Sequence, residues 1–419
     1  GGATHATGVY RITNYSIRSY GVYTNCVPCG YYRAPGQPQV VFAVESHTDL
    51  IAKELGMDPL EFRLRNLIRD GDLLPGGRSV DKVRCRETLE AAARAVGWGK
   101  RKSERNIGRG VGVSFRHVGG GGEASAEISV SAEGKVTVLS AVPDTGTGTH
   151  TLLGQIAAEL LALSPKEIQV VIGDTETFEI DAAPGGSKIT NMTGQALLQA
   201  TEELRRKMAS IAAPLLGCKA DEVKLERGRF VAIKGSKRGI TFAEVARHAA
   251  QGGGDLRVRK TYKVKVRSAV AAFVAQVAEV EVDEETGVLK IRRLVTAHDV
   301  GTIINPLTHQ GQIEGGIIQG LGYATMEEVV AEDGKVMTLS LGDYRIPCVR
   351  DIPELKTVLV ESPSGPGPFA AKHIGENGIV ATAAAIANAL HDAVGVRIFD
   401  LPLTSEKICF VLKSARPAA

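Results

Sequence analysis

The chain has 419 residues, 43% of them hydrophobic and 23% charged, a balance that fits a folded globular protein and argues against disorder. Its 50 basic and 47 acidic residues leave a net charge of +3, which gives no basic field for nucleic acid or an anionic membrane. No stretch reaches the ~18 apolar residues of a membrane-spanning helix, and the low aromatic content (5%, with one tryptophan) argues against a base-stacking platform.

Residues 1–38 read as irregular or short-strand structure rich in Gly, Tyr and Pro. Helical spacing of apolar residues then predicts two helices over 39–68, broken at Gly56-Met57-Asp58-Pro59, and a third over 86–97. From Gly108 the period becomes two. VGVSF (111–115), SAEISVS (125–131) and KVTVLSAV (135–142) alternate, with Glu133-Gly134 as a turn. A helix over 149–163, a strand near 167–172, a loop over 173–190 and a helix over 191–213 follow. Residues 219–265 hold a hairpin, a helix over 241–250 and a Gly-rich break. A second hairpin spans 270–298 and turns at Glu284–Gly287. Glycines recur inside helical patterning over 309–323, where each costs ~1 kcal/mol relative to Ala. That cost implies close packing or ligand approach, and an Ala-rich helix over 378–394 also reads as buried on most sides. The blocks 111–163 and 270–323 share one plan of hairpin, Gly-rich loop and helix. The expected fold class is α+β, with two similar mixed lobes and no regular βαβ alternation. The expected division is 1–105, 106–265 and 266–419.

Several strings carry candidate chemistry. Gly146-x-Gly148, between a strand and a helix, can present N–H groups to an anion; a tight turn capped by Thr149 is the plainer reading. Pro184-Gly185-Gly186-Ser187 opens a second helix in the same manner, or is an ordinary connection. Glu376, in Gly375-Glu376-Asn377-Gly378, sits at a helix N-terminus. It either complements the dipole or serves as a general base. The Pro-stiffened string Tyr31–Gln39 presents Arg33 as a recognition group or simply leads into a helix. Cys26-x-x-Cys29 has no matching pair elsewhere, and His150, His298 and His373 share no metal spacing. Six cysteines in a chain this long do not form a disulfide framework. With no signal peptide at Gly1-Gly2-Ala3, a reducing, cytoplasmic setting is expected.

Together these strings resemble the molybdopterin-binding subunit of the xanthine oxidase family, the molybdenum hydroxylases. YYRAPGQPQ is similar to the family's Phe-Arg-Gly-Phe-Gly-x-Pro-Gln loop. DTGTGTHT is similar to Asp-x-Gly-Gln-Gly-x-x-Thr. The Gly185-Gly186-Ser187 loop, AHDVGTIINP with GQIEGGIIQGLGYA, and KHIGENGIVATAAAIANA complete five matches in order over nearly the whole chain. The resemblance implies that Glu376 is the catalytic base. It also implies that Arg33, Gly146, Thr147, Gly148, Thr149, Gly185, Gly186, Ser187, Gln312 and Gly375 face the cofactor, with Pro35 and Arg116 toward the substrate. The Gly119–Gly122 run near Arg116 reads as a roomy pocket or a plain loop. The implied cofactor is molybdopterin with molybdenum, in its cytosine dinucleotide form, held without direct protein ligands to the metal. The implied reaction hydroxylates an sp² carbon of an N-heteroaromatic, an aldehyde or a related small molecule, with water as oxygen source. Iron–sulfur clusters (2Fe-2S) and FAD are expected on partner subunits.

Three departures stand out. The family's N-terminal Gly-Gly-x-Phe-Gly loop is absent, so the chain is expected to be the C-terminal part of such a subunit, completed by an N-terminal half as a separate chain or a missing part. Their shared interface is expected over the Gly-rich and Ala-rich segments 311–322 and 378–390. Pro35 stands where purine hydroxylators carry an aromatic. Thr147 replaces a glutamine. The string Arg33-Ala34-Pro35 also lacks the Cys of carbon monoxide dehydrogenases. The alternative is a non-catalytic assembly subunit that retains the fold.

Overall fold

The computed structural model describes residues 2–415 apart from 26–29, 76, 101–105, 118–120, 175, 179–182, 235–238 and 265–269. The Cys26/Cys29 pair and part of the Gly119–Gly122 run lie outside the described residues. The helices are α1 (Gln37–Glu54), α2 (Pro59–Asn66), α3 (Cys85–Val96), α4 (Thr149–Leu161), α5 (Ile189–Leu216), α6 (Phe242–Gln251), α7 (Pro306–Thr325), α8 (Thr382–Val394) and α9 (Ser405–Ala415). The strands are β1 (Ile107–His117), β2 (Glu123–Val130), β3 (Val136–Ser140), β4 (Ile168–Ile172), β5 (Val223–Glu226), β6 (Arg229–Ala232), β7 (Ile240–Thr241), β8 (Arg257–Lys263), β9 (Ala271–Val282), β10 (Leu289–Val300), β11 (Ala331–Glu332), β12 (Lys335–Val336) and β13 (Glu354–Glu361).

Two four-stranded sheets organise the chain, in the orders β1-β9-β10-β13 and β8-β2-β3-β4. Each joins an antiparallel hairpin (β9–β10, β2–β3) to an antiparallel strand on one side and a parallel strand on the other. In each, a helix (α7, α4) links the hairpin to its parallel strand, and a further helix (α8, α5) comes next. The expected repeat of hairpin, loop and helix is therefore one topology used twice. β1 pairs with β9 from Ile107↔Glu281 to His117↔Ala271. The first residues of the segment expected as the second lobe are thus hydrogen-bonded to the C-terminal segment, because the alternating apolar residues of β1 face the same core as those of β9.

The first sheet is buried on both faces. α3 covers one with Leu89 and Val96 against Val111, Phe115, Phe273 and Val295. α7 and α8 cover the other with Ile313, Ile317, Ile386 and Leu390 against Val280 and Leu294. This explains the nearly unbroken apolar run of β9. In the second lobe α4, α5 and α6 cover one sheet through Leu153, Leu197, Leu204 and Val245.

α8 rests directly on backbone. A Cβ at Gly108 or Gly110 would fall 2.0 Å from the Ala389 carbonyl oxygen or amide nitrogen, and one at Gly112 would fall 2.8 Å from the Ala381 carbonyl. Alternating glycines on β1 thus receive the alanine ridge 381/385/389/393 of the helix. The expectation that segments 311–322 and 378–390 await a partner is corrected. They bury each other, with Gly316 packed on Gly378 and Gly320 on Thr382, and Ile313, Ile317 and Ala383–Leu390 belong to this chain's own core.

Candidate active site

Loops leaving the parallel pairs β3/β4 and β10/β13 at their carboxyl ends converge, a usual place for a ligand in α/β architecture. They enclose a cavity of about 480 Å³. Its wall takes Thr145, Thr147 and Thr149 from the β3–α4 connection and Pro184–Thr190 from β4–α5. It takes Thr302, Ile304 and Asn305 from β10–α7, and Ala371–Glu376 from β13–α8. Leu152 of α4, Thr308, His309, Gln312 and Gln319 of α7, and Arg33 complete it.

Glu376 is clamped from three directions. Its Oε2 is 2.5 Å from Arg116 Nη2 and accepts from Ser187 Oγ at 2.7 Å, while Oε1 accepts from the Ala34 N–H at 3.1 Å. The carboxylate is not at the start of the long helix, as expected from sequence. A 3₁₀ turn over Asn377–Ile379 intervenes, α8 begins at Thr382, and the Glu376 side chain makes no cap hydrogen bond to the turn that follows it. Its oxygens are held by side-chain and loop donors rather than placed at the N-terminus of a long helix. Gln276, buried in β9, pins the turn between Glu376 and α8 by donating to the Gly378 carbonyl at 2.8 Å and accepting from Thr382 Oγ1 at 3.1 Å.

Two of the three donors come from left-handed, non-glycine residues: Ala34 at φ 58° and Ser187 at φ 57°. Such backbone costs of order 1–3 kcal/mol per residue and persists where surrounding structure enforces it. Arg116 is oriented in turn by Gln37, which accepts from Arg116 Nη1 at 2.9 Å and donates to the Phe115 carbonyl at 2.6 Å and Ser114 Oγ at 3.1 Å. Burial lowers the Arg116 pKa from its ordinary value, and Glu376 opposes that shift.

Arg33 uses its whole fork on protein. Nε donates to the Gly375 carbonyl at 2.5 Å, Nη1 to Gln319 Oε1 at 3.0 Å, and Nη2 to Gln312 Oε1 at 2.6 Å. It therefore joins three elements and fixes the amide of Gln312 at the cavity wall. Burial lowers its pKa too, again against Glu376. Lys372, also in the wall, donates to both oxygens of Asp299 at 2.7 and 2.9 Å, with neither side chain accessible to solvent. Burial outweighs the lysine and pushes the Asp299 carboxyl up to about 6.

The expected Gly146/Gly148 anion nest is corrected. Asp144 Oδ1 already accepts from both N–H groups at 3.1 Å, and Oδ2 accepts from His150 N at 3.4 Å. A carboxylate two residues away serves these donors with little loss of chain entropy. The alternating threonines 145, 147 and 149 face the cavity instead. Gly185 and Gly186 do line it, and a Cβ on either would meet nothing within 4 Å. Gly375 brings its loop close, since a Cβ there would sit 3.1 Å from Ser187 Oγ. Pro35 is exposed and does not line the cavity. Of the histidines read as structural, His298 is fully buried against Thr296 Oγ1 at 2.7 Å, and His373 contacts the His117 carbonyl at 2.7 Å.

Sequence reasoning missed Gln319, Lys372 and Asp299, and the loop string that contains Gln37 was read as facing a ligand, whereas Gln37 orients Arg116. Gln319 had a signal: it lies seven residues after Gln312 on one helix, two turns on and on the same face.

The cavity fits a polar, anionic cofactor that brings its own metal ligands. Its lining offers Lys188, Gln312 and threonine hydroxyls, its open glycines admit close backbone approach, and no group of three or more His, Cys, Asp or Glu among the described residues could hold a metal ion. Family models described as the molybdopterin cofactor-binding domain match residues 1–67 and 84–353. The 6-hydroxypseudooxynicotine dehydrogenase complex subunit gamma of Paenarthrobacter nicotinovorans is 33% identical over 431 residues, covering 96% of this chain and 54% of that protein. A putative xanthine dehydrogenase molybdenum-binding subunit of Escherichia coli (strain K12) is 32% identical over 426 residues, covering 97% and 56%. The crystal structure of quinoline 2-oxidoreductase from Pseudomonas putida 86 superposes with a TM-score of 0.91 at 28% identity, over 99% of this chain and 57% of that one. The chain thus spans little more than half the length of these relatives.

Proposed function

The chain belongs to the molybdopterin cofactor-binding family of the xanthine oxidase type, and from that premise we propose that it forms the cofactor-binding, catalytic part of a molybdenum hydroxylase. The proposed substrate is an N-heteroaromatic, an aldehyde or a related small molecule. It is hydroxylated at an sp² carbon, with water as the source of oxygen. When bound, the cofactor supplies the two-electron redox chemistry. The chain's own residues bind it, orient it and move one proton.

Gly185, Gly186, Ser187 and the threonine edge 145/147/149 would lie along the cofactor, and Gln312 would donate its amide while Arg33 holds the carbonyl end. The cytosine dinucleotide form, with its added phosphate, suits a cavity edged by Lys188 and several hydroxyls. Glu376 Oε is the proton acceptor. Arg116, Ser187 and the Ala34 N–H all donate to its oxygens and fix them in position for proton transfer. This clamp is the observation that carries the proposal, and it favours a catalytic role over a scaffold that has lost its chemistry. Electrons would leave through iron–sulfur clusters and FAD on partner subunits.

The test is metal and pterin analysis of the native assembly, followed by turnover of candidate heteroaromatics and aldehydes in ¹⁸O-labelled water. Stoichiometric molybdenum and label in the product are expected. Absence of molybdenum, or product oxygen drawn from dioxygen, would overturn the reading.

A further inference from the structure

Two arms outside the two large sheets expose large apolar side chains in groups. The first, residues 11–25, presents Tyr20, Val22 and a fully exposed Tyr23. The second, 329–349, presents Leu339 at 81%, Leu341 at 80% and Val349 at 85% relative exposure. The arms touch, since the Asn25 carbonyl lies 3.2 Å from where a Cβ on Gly334 would sit.

The second arm is built rather than frayed. Met337 N donates to the Val330 carbonyl at 2.8 Å, Val330 N to Thr338 Oγ1 at 2.9 Å, and Asp343 Oδ2 accepts from Leu339 N at 3.3 Å and Ser340 N at 3.2 Å. Its only strands, β11 and β12, are two residues each, and an isolated ribbon is marginal in water. Backbone is thus ordered while large apolar side chains face solvent, the mark of an interaction surface. The mixture of tyrosines and aliphatics suits a protein interface.

The base of this surface reaches the active site. Glu327 Oε2 accepts from Tyr344 OH at 2.6 Å and Tyr32 OH at 3.3 Å, and Tyr32 adjoins Arg33. The Tyr32 ring also stacks on Tyr323 of α7, with centroids 6.5 Å apart.

The quinoline 2-oxidoreductase match covers 99% of this chain yet only 57% of that one. A large further polypeptide therefore accompanies this fold in a solved relative. We infer that the two arms form one docking face for the polypeptide equivalent to that remaining part, joined or separate, and that its contact holds the Arg33 loop through Glu327. The inference rests on reading this chain as part of a longer catalytic subunit, and it supplies the surface.

The test is hydrogen exchange by mass spectrometry on the native assembly. Backbone amides at 20–23, which are exposed in this chain, should exchange at least about 100-fold more slowly than solvent-exposed amides. Leu339→Asp with Leu341→Asp, in the full system, should restore fast exchange at 20–23 while far-UV circular dichroism is unchanged. Glu327→Gln should raise exchange at 31–36. Exposed-type rates in the wild-type assembly, protection at 20–23 that survives the double variant, unchanged rates at 31–36 in the Glu327 variant, or protection supplied only by a second copy of this chain in native mass spectrometry would each overturn the inference. None of these readouts depends on turnover, so a metal-free assembly would refute the proposed function and leave the docking result standing.

Discussion

Glu376→Gln separates the carboxylate's charge from its shape. The amide can still accept from the Ala34 N–H, which now meets Oε1 at 3.1 Å. The position of Oε2, shared by Arg116 at 2.5 Å and Ser187 at 2.7 Å, becomes either a neutral acceptor or an NH₂ group facing a guanidinium. A charge-assisted hydrogen bond is worth ~1.5–3 kcal/mol. Arg116 keeps Gln37 and some solvent contact, so a stability loss of about 1–2 kcal/mol is expected. The chemistry suffers far more, because the neutral amide cannot accept the proton. Loss of a general base typically costs ~10²–10⁴-fold in turnover. The assay is kcat per bound molybdenum in the native assembly, with calorimetric Tm alongside. Glu376→Asp, which keeps the charge but shortens the reach, should fall between wild type and the Gln variant. Turnover of Glu376→Gln within about threefold of wild type at equal molybdenum content would refute the base assignment.

Arg33→Lys should lower molybdenum occupancy by about tenfold or more, since one ammonium cannot replace a fork bonded to Gly375, Gln319 and Gln312 together; metal analysis after gel filtration checks it. Gly110→Val should cost about 3 kcal/mol or more, because its Cβ would fall 2.0 Å from α8 backbone; denaturant unfolding checks it. Lys372→Met alone should destabilise by ~3–5 kcal/mol by leaving Asp299 buried without its cation, whereas Lys372→Met with Asp299→Asn should recover most of that loss. Acidification should lower stability. Burial pulls His298 down to about 3 and His373 to about 4, so the unfolded chain takes up these protons first and stability present above about pH 6.5 is lost toward pH 4. Asp299, raised to about 6, works in the opposite sense, favouring the folded state as pH falls from about 6 to 4. At pH 5 each histidine is worth about 2 kcal/mol against roughly 1 for the carboxylate. A Tm higher at pH 5 than at pH 7.5 would contradict this balance.

Elements with a strong local period were legible. The alternation over 270–298 became β9 and β10, and the glycine-spaced pattern over 309–323 became the centre of α7. β13 was not, because ELKTVLVE carries charges at its ends and lies beside Pro353. Its strand identity comes from parallel pairing to β10, whose Arg293↔Glu354 register no local pattern announces. α9 and β8 were missed for a similar reason, being short and marked by charged residues. The glycines of β1 were visible, but their purpose was not. They matter only because an alanine ridge some 280 residues later lies on them.

The site shows the same limit in sharper form. Glu376 stood out through its tetrapeptide, yet its donors lie 342 and 189 residues away along the chain, at Ala34 and Ser187. Only the doubled topology brings them together. Each lobe sends two loops from the carboxyl ends of a parallel pair, and the cavity lies where the four meet. Ser187 and Glu376 occupy corresponding connections, the one before α5 and the one before α8. One repeat has kept a hydroxyl donor where the other carries the acceptor, and a hydrogen bond of 2.7 Å now joins them. The two lobes are therefore equivalent in fold and divided in chemistry. The second supplies the open Gly185–Gly186 edge and Ser187. The first supplies the carboxylate together with Arg33, Arg116 and Gln312, which hold and orient the groups around it.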